Sequence, residues 1–210
     1  MYINYPKGRL MKLFLTLIIT SLLAACSTDI DYKILSDKSL RDIKRTVEVE
    51  LPGMISDKDL QEVAEDIYKG GYERTFISYV LKEKPSQAWA TTHFNPYFEI
   101  TYMGQSLANH NDLNNQQLQI EGTAIGQWWV EYAYSYKAAI FSKEGEIFLT
   151  RIFSDGSGDT KPLNVTEVDG IKRYRTESDI EHGEYMTITD SGNLKFWGST
   201  GNNFNTAKPL

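Results

Sequence analysis

The chain has 210 residues, 41% of them apolar and 12% aromatic, with 22 basic against 28 acidic side chains and a formal net charge of −6. That is enough chain for one large domain or two small ones, and so acidic a balance excludes the basic footprint that nucleic acid demands. A single cysteine, Cys26, excludes an intramolecular disulfide and a multi-thiolate metal site.

The amino terminus reads as a signal peptide. Its first charges, Lys7, Arg9 and Lys12, are all basic, and no carboxylate precedes Asp29. An apolar run of 11 residues, LFLTLIITSLL over 13–23, is followed by Ala24-Ala25-Cys26. A positive start, an apolar segment and small residues before a cleavage point are its three parts. The run is too short for a membrane span, which needs about 20 residues. Met11 begins a complete signal by itself, so residues 1–10 are either an upstream extension or a misassigned start. Leu23-Ala24-Ala25-Cys26 resembles the lipobox of bacterial lipoproteins. That resemblance implies cleavage before Cys26, a thioether-linked diacylglycerol on its sulfur and an acylated amino group. Cys26 is then the lipid attachment site and the membrane a partner through that lipid. Two or more acyl chains anchor stably, at roughly 0.8 kcal/mol per buried methylene. Ser27 in place of Asp resembles the outer-membrane signal of double-membraned bacteria, implying an outer-membrane location facing the periplasm. The alternative is an ordinary secreted protein whose cleavage site abuts a cysteine.

Loss of residues 1–25 removes three basic and no acidic side chains, leaving 19 against 28 and a net charge of −9. Such a body is repelled by anionic lipid, so acyl chains rather than charge must hold it. Residues 26–45 are polar and read as a tether, with a helical turn at Ser39-x-x-Asp42. At full extension some 20 residues reach roughly 65–70 Å.

Residues 46–121 form the first structural unit. Val47, Val49 and Leu51 alternate with Thr46, Glu48 and Glu50, the period of a strand with one buried face. Pro52-Gly53 breaks it. Ser56 is a helix cap, with Asp57 and Asp59 in the first turn. Leu60, Val63, Ala64, Ile67 and Tyr68 form one apolar stripe, and Gly70-Gly71 ends the helix. Runs 72–81, 88–94 and 97–103 are rich in aromatic and β-branched residues. Lys84-Pro85-Ser86, Asn95-Pro96 and Gly104 bound them as turn formers. The order predicts one helix packed on a small, mostly antiparallel sheet. Residues 105–119 are amide-rich and are either a helix or a linker, with a boundary near Glu121-Gly122.

Residues 122–210 change rhythm. Turn signals end at Gly145, Gly156, Gly170, Gly183, Gly192 and Gly201, spaced 11, 14, 13, 9 and 9 residues apart. Between them lie strand-like runs at 127–131, 136–141, 147–153, 171–175, 184–189 and 194–197. This spacing predicts an antiparallel β-meander closed into a sandwich or small barrel. The fold class is therefore α+β. The phrases YERTFI (72–77), AWATTHF (88–94) and Gly183-Glu184-Tyr185 resemble modules of uncharacterised bacterial and mobile-element proteins, families of no known activity.

Candidate chemistry is sparse. Asp155-Gly156-Ser157-Gly158-Asp159 places oxygens at positions 1, 3 and 5 of a calcium loop, but Thr160 and Thr166 replace its glycine and final acid. A glycine-rich hairpin turn explains it; the alternative is a weak calcium site that is not an EF-hand. His93, His110 and His182 share no metal-ligand spacing. His93 reads as a structural hydrogen-bonding group and His182-Gly183 as a turn. Neither a nucleophile elbow, an S-x-x-K motif nor a phosphate loop is present, so the sequence names no catalytic, metal or cofactor-binding residue. Trp128 and Trp129 beside Tyr132 are the most unusual feature. They line a ligand groove or interface, or they are a strand with one Trp in the core and one on the rim.

The leading expectation is a non-enzymatic, membrane-anchored binding module at the cell envelope, with a basic protein as partner. The rival is a cell-envelope hydrolase whose site assembles from dispersed residues, and a third is a β-module that captures a small or lipidic ligand.

Overall fold

The computed structural model describes residues 30–210 apart from 69, 132 and 133. The signal peptide and Cys26 lie outside the described residues, as does Tyr132. None of the described helices is long and apolar enough to cross a membrane.

The alternation over 46–51 is a strand, β2 (Lys44–Leu51), burying Arg45, Val47, Val49 and Leu51. It is the second strand, not the first. β1 (Lys33–Leu40) lies antiparallel to it, from Lys33 opposite Glu50 to Leu40 opposite Lys44, with a register shift between Ile34 and Ser36. Most of the segment read as a tether is thus strand and turn, leaving residues 26–32 ahead of the first element. The expected helical turn at Ser39–Asp42 is a strand end followed by a turn in which Arg41 takes φ 49°. The miss has a physical cause. β1 is an edge strand exposed on both faces, so its side chains carry no period-two signal, and the backbone ladder fixes it. Arg45 adds to that ladder. Its guanidinium donates to both carboxylate oxygens of Asp37, at 3.0 and 2.7 Å.

Helix α1 (Asp57–Ile67) forms where the stripe and cap predict it, with Ser56 Oγ accepting from Asp59 N and Leu60, Val63, Ala64 and Ile67 buried. It is the crossover between β2 and β3 (Arg74–Leu81), which pair parallel from Lys44–Arg74 to Leu51–Leu81. Both helix ends are tied to strands. Tyr102 Oη donates to Asp57 at 2.7 Å, and Arg45 Nη1 donates to the Ile67 carbonyl at 2.5 Å.

β4 (Lys84–Phe94) and β5 (Phe98–Tyr102) complete an otherwise antiparallel sheet in the order β1-β2-β3-β4-β5. Lys84-Pro85-Ser86, expected as a turn, instead opens β4. The ladder there shifts register at Val80 and Leu81, an irregularity that tolerates proline.

Within 105–119, residues 107–115 are helix α2 (Leu107–Asn115), capped by Ser106 and burying Leu113. The expected boundary falls just after it, where the chain passes to a second sheet; Tyr32–Leu210 nevertheless form one compact unit. This sheet holds β6 (Thr123–Val130), β7 (Tyr136–Lys143), β8 (Glu146–Ile152), β9 (Gly158–Pro162), β10 (Asn164–Val168), β11 (Ile171–Arg175), β12 (Tyr185–Ile188), β13 (Leu194–Trp197) and β14 (Asn203–Pro209). A six-residue helix, α3 (Glu177–His182), sits between β11 and β12.

All its pairings are antiparallel, as the meander reading requires, in the order β10-β11-β12-β13-β14-β6-β7-β8-β9. Two meanders are joined by the pairing of β14 with β6. The two outermost strands, β9 and β10, are separated in sequence by Leu163 alone. Leu163 belongs to the same buried cluster as Trp128, Ile140, Leu149, Tyr174, Met186 and Leu194. One sheet therefore coils round one core, close to a barrel. Strands β9, β10 and β14 and helix α3 are absent from the sequence reading. β9 and β10 are short and almost wholly exposed, and β14 buries little beyond Ala207.

Candidate functional site

Along β8, Ile147, Leu149 and Arg151 share the inward face, so an arginine stands where the period demands an apolar residue. The cross-strand partner of Arg151 on β9 is Asp159, and that of Leu149 is Lys161. A hollow of about 200 Å³ opens here, at one end of the coil, lined by Tyr136, Arg151, Lys161, Tyr185, Phe196 and Trp197 among others. Helix α3 supplies part of its wall through Ser178 and Asp179. A reciprocal cap holds that helix: Asp179 N donates to Thr176 Oγ1, and Thr176 N to the Asp179 carboxylate.

The charges of the hollow are organised by mutual bonds. Arg151 grips Asp159 through two donors, at 2.8 and 2.5 Å, and Lys161 Nζ stands 3.6 Å from the same carboxylate. Hydrogen bonding to Arg151 holds the Asp159 carboxyl below its ordinary value of 3.8, against an opposing desolvation. The same bond raises the Arg151 guanidinium, which also lies 5.8 Å from the centroid of Tyr136. Burial, ahead of any charge, raises the Tyr136 phenol.

Aromatic rings complete the wall. Phe196, packed against the core cluster, meets Phe204 at 6.2 Å; Tyr185 and Trp197 border the rim only, their rings nearly parallel at 5.9 Å and 9° on the opposite face of β12 and β13. Trp197 Nε1 donates to Thr187 Oγ1 at 2.9 Å, which fixes its ring. Apolar faces beside a few fixed charges are the composition of a recognition pocket. A wider, more open groove of about 700 Å³ lies between Tyr102–Gln105 and Phe153–Ser157.

The charge pair dictates a pH response. Because Asp159 is held below its ordinary value, the stability it contributes is present above pH 3.8 and is lost as pH falls through the lower folded value. Asp159→Asn is therefore expected to lower the midpoint of thermal unfolding at neutral pH and to flatten its decline below about pH 4. Melting curves from pH 7 to pH 2 check this; parallel curves for the two proteins would refute it.

Trp128 and Trp129, two of the aromatic residues singled out by sequence, face opposite sides of β6. Trp128 is 1% exposed within the core, its Nε1 donating to the Gly192 carbonyl at 2.6 Å. Trp129, on the opposite face of β6, is partly exposed, with its ring 4.9 Å from that of His110. His93 Nε2 lies 3.1 Å from Glu99, its cross-strand partner, and stacks on Phe76. His182 Nδ1 is 2.8 Å from the Ser178 carbonyl in the last turn of α3. The three histidines occupy three separate places, none of them in the wall of the hollow. In the loop after β8, Asp155 accepts from both the backbone and the hydroxyl of Ser157, while Asp159 turns to Arg151. These oxygens are occupied by a hairpin turn. Among the described residues there is no group of three His, Cys, Asp or Glu placed to hold a metal.

Arg151, Lys161 and Phe204 escaped the sequence reading. The signal for Arg151 was available as a lone charge within the alternation Ile147, Leu149, Arg151, Phe153. Phe204 belongs to a strand with no pattern of its own. Comparison with family models, with curated proteins and with solved structures finds no match to this chain.

Proposed function

We propose that this protein is a lipid-anchored binding module of the cell envelope, held by acyl chains on Cys26, that recognises its partner at the open end of the nine-stranded coil. The reading includes helix α1 covering one face of the five-stranded sheet and an outer-membrane location facing the periplasm. One observation carries it: the hollow is walled by aromatic rings, while its strongest charges are spent on fixed structural bonds, Arg151 on Asp159 and Asp179 on the cap of α3. Fixed charges and rigid rings recognise without reorganising, which favours affinity over chemistry. The rival hydrolase reading needs a histidine set with a carboxylate or serine in a deep pocket. His93 has its carboxylate, but on the ladder between β4 and β5, away from the hollow.

Two measurements test the proposal. Labelled palmitate should enter the wild-type chain in bacteria and not Cys26→Ser. A photoreactive residue at Phe204, beside the hollow, should give a discrete crosslinked species in intact cells, while the same group at Glu144, in the β7–β8 turn, should not. Equal labelling at both positions, or none at Phe204, would count against a partner at this end.

A further inference from the structure

The outer face of the second sheet carries a charge opposite to that of the chain as a whole. On β11, Tyr174 points into the core, so Arg173 and Arg175 share the opposite face. On β12 and β13 the core takes Met186, Leu194 and Phe196, and the opposite face carries Tyr185, Lys195 and Trp197 with Thr187 buried among them. The arginine neighbours on β10 are Thr166 and Asn164, and that of Lys195 on β14 is Thr206. Across five strands this face holds four cations, Lys208 on β14 being the fourth, with two aromatic rings and no carboxylate, in a chain of net charge −6.

Three of these cations are poised on the rings. Arg173 lies 4.3 Å and Arg175 5.9 Å from the centroid of Tyr185, and Lys195 lies 5.7 Å from that of Trp197. Neither arginine has an ion-pair partner among the described residues, and Arg175 Nε is a buried donor left without an acceptor. The contact with Tyr185 holds the Arg173 guanidinium in place and leaves its N–H donors for an anion.

From this, and resting on the anchored reading above, we propose that the outer face of β10–β14 docks on the anionic lipid surface to which the chain is tethered. Charge complementarity selects the occupant. Trp and Tyr favour the membrane–water interface, and each Lys or Arg near anionic headgroups adds to the attraction. The overall acidity does not oppose this, because at physiological salt charges beyond about 8 Å are screened and the contacting face decides. With β1 starting at Lys33, only residues 26–32 separate the lipidated cysteine from the folded body, a reach of at most about 25 Å. The body is held against the membrane, and the cationic face orients it.

The test uses residues 26–210, the chain left once residues 1–25 are lost, with Cys26→Ser, which takes no acyl group, so its outcome is independent of whether Cys26 is acylated in cells. The protein is floated with phosphatidylcholine vesicles and with vesicles of equal parts phosphatidylcholine and phosphatidylglycerol. Partition at physiological salt is expected to favour the anionic vesicles by several hundredfold, from roughly fivefold per cation, and to weaken as salt rises further. The quadruple variant Arg173→Gln, Arg175→Gln, Lys195→Gln, Lys208→Gln should lose that preference. Arg173→Lys with Arg175→Lys should retain most of it, and circular dichroism should show both variants folded. Equal partition between the two vesicle types, or a preference that survives the quadruple variant, would overturn the proposal. So would cation-dependent binding of a single-stranded oligonucleotide with indifference to vesicle charge, which would assign the face to an anionic polymer.

Discussion

Trp128→Ala is expected to cost about 3–5 kcal/mol of folding stability, the range for deleting a buried tryptophan. Natural domains of this size are stable by about 5–15 kcal/mol, so the variant should lose a third or more of a typical total and melt at a much lower temperature. The reason lies in what the ring joins. Trp128 is 1% exposed, belongs to the cluster that fills the coil, and donates from β6 to the Gly192 carbonyl in the turn between β12 and β13. Its removal leaves a cavity and an unpaired carbonyl together. Trp128→Phe keeps most of the ring and loses the hydrogen bond, so it should fall between wild type and alanine. The fit is close enough to test from the other side. A methyl group added at Gly126 would stand 2.4 Å from the Trp128 ring carbons, so Gly126→Ala should cost about 1–3 kcal/mol through overpacking. Urea unfolding followed by circular dichroism measures all three. If Trp128 served instead as a ligand-contacting surface residue, the alanine variant would keep its midpoint, and that outcome would refute the core assignment.

The pair Trp128–Trp129 also shows how far sequence could reach. Period two places adjacent residues on opposite faces of a strand, so only one of the two could be buried. Which one it would be depends on the neighbours in the sheet. β14, the strand beside them, sets Lys208 against Trp129 and Pro209 against Trp128. Nothing in Asn203–Pro209 announces a strand, because its pattern of burial has one buried position, Ala207, among exposed and half-exposed ones. Elements that carry their own amphipathic period were legible: β2 from Val47, Val49 and Leu51, and α1 from Ser56 and the stripe Leu60 to Ile67. Elements stabilised by a neighbour's backbone were not, and β1, β9, β10 and β14 all belong to that class. The hollow depended on them. Lys161 lies on β9 and Phe204 on β14, so the wall could not be assembled before those strands were placed.

Truncation after Asn202 is expected to abolish cooperative folding of the second sheet. β14 is the hinge of its topology, pairing with β13 from Leu194–Ala207 to Trp197–Asn203 on one side and with β6 through Trp129 and Trp128 on the other. Without it the two meanders lose their connection, two new strand edges open, and the fully buried side chains of Leu194 and Trp128 are exposed. The shortened protein should accumulate in the insoluble fraction, and any soluble portion should bind a hydrophobic dye and show no cooperative thermal transition. Loss of Leu210 alone should matter little. That residue is 59% exposed and contributes one backbone bond, to the Gln127 carbonyl at 3.0 Å. A point change in the full-length strand separates lost packing from lost chain. Ala207 is 2% exposed within the core cluster, and Ala207→Glu would bury an unpaired carboxylate there, at a cost of about 4 kcal/mol or more. Ala207→Ser, small and neutral, should cost about 1–3 kcal/mol as an unsatisfied hydroxyl. A truncated protein that still melts cooperatively near the wild-type temperature would mean that β14 is an edge addition rather than the strand that joins the two meanders.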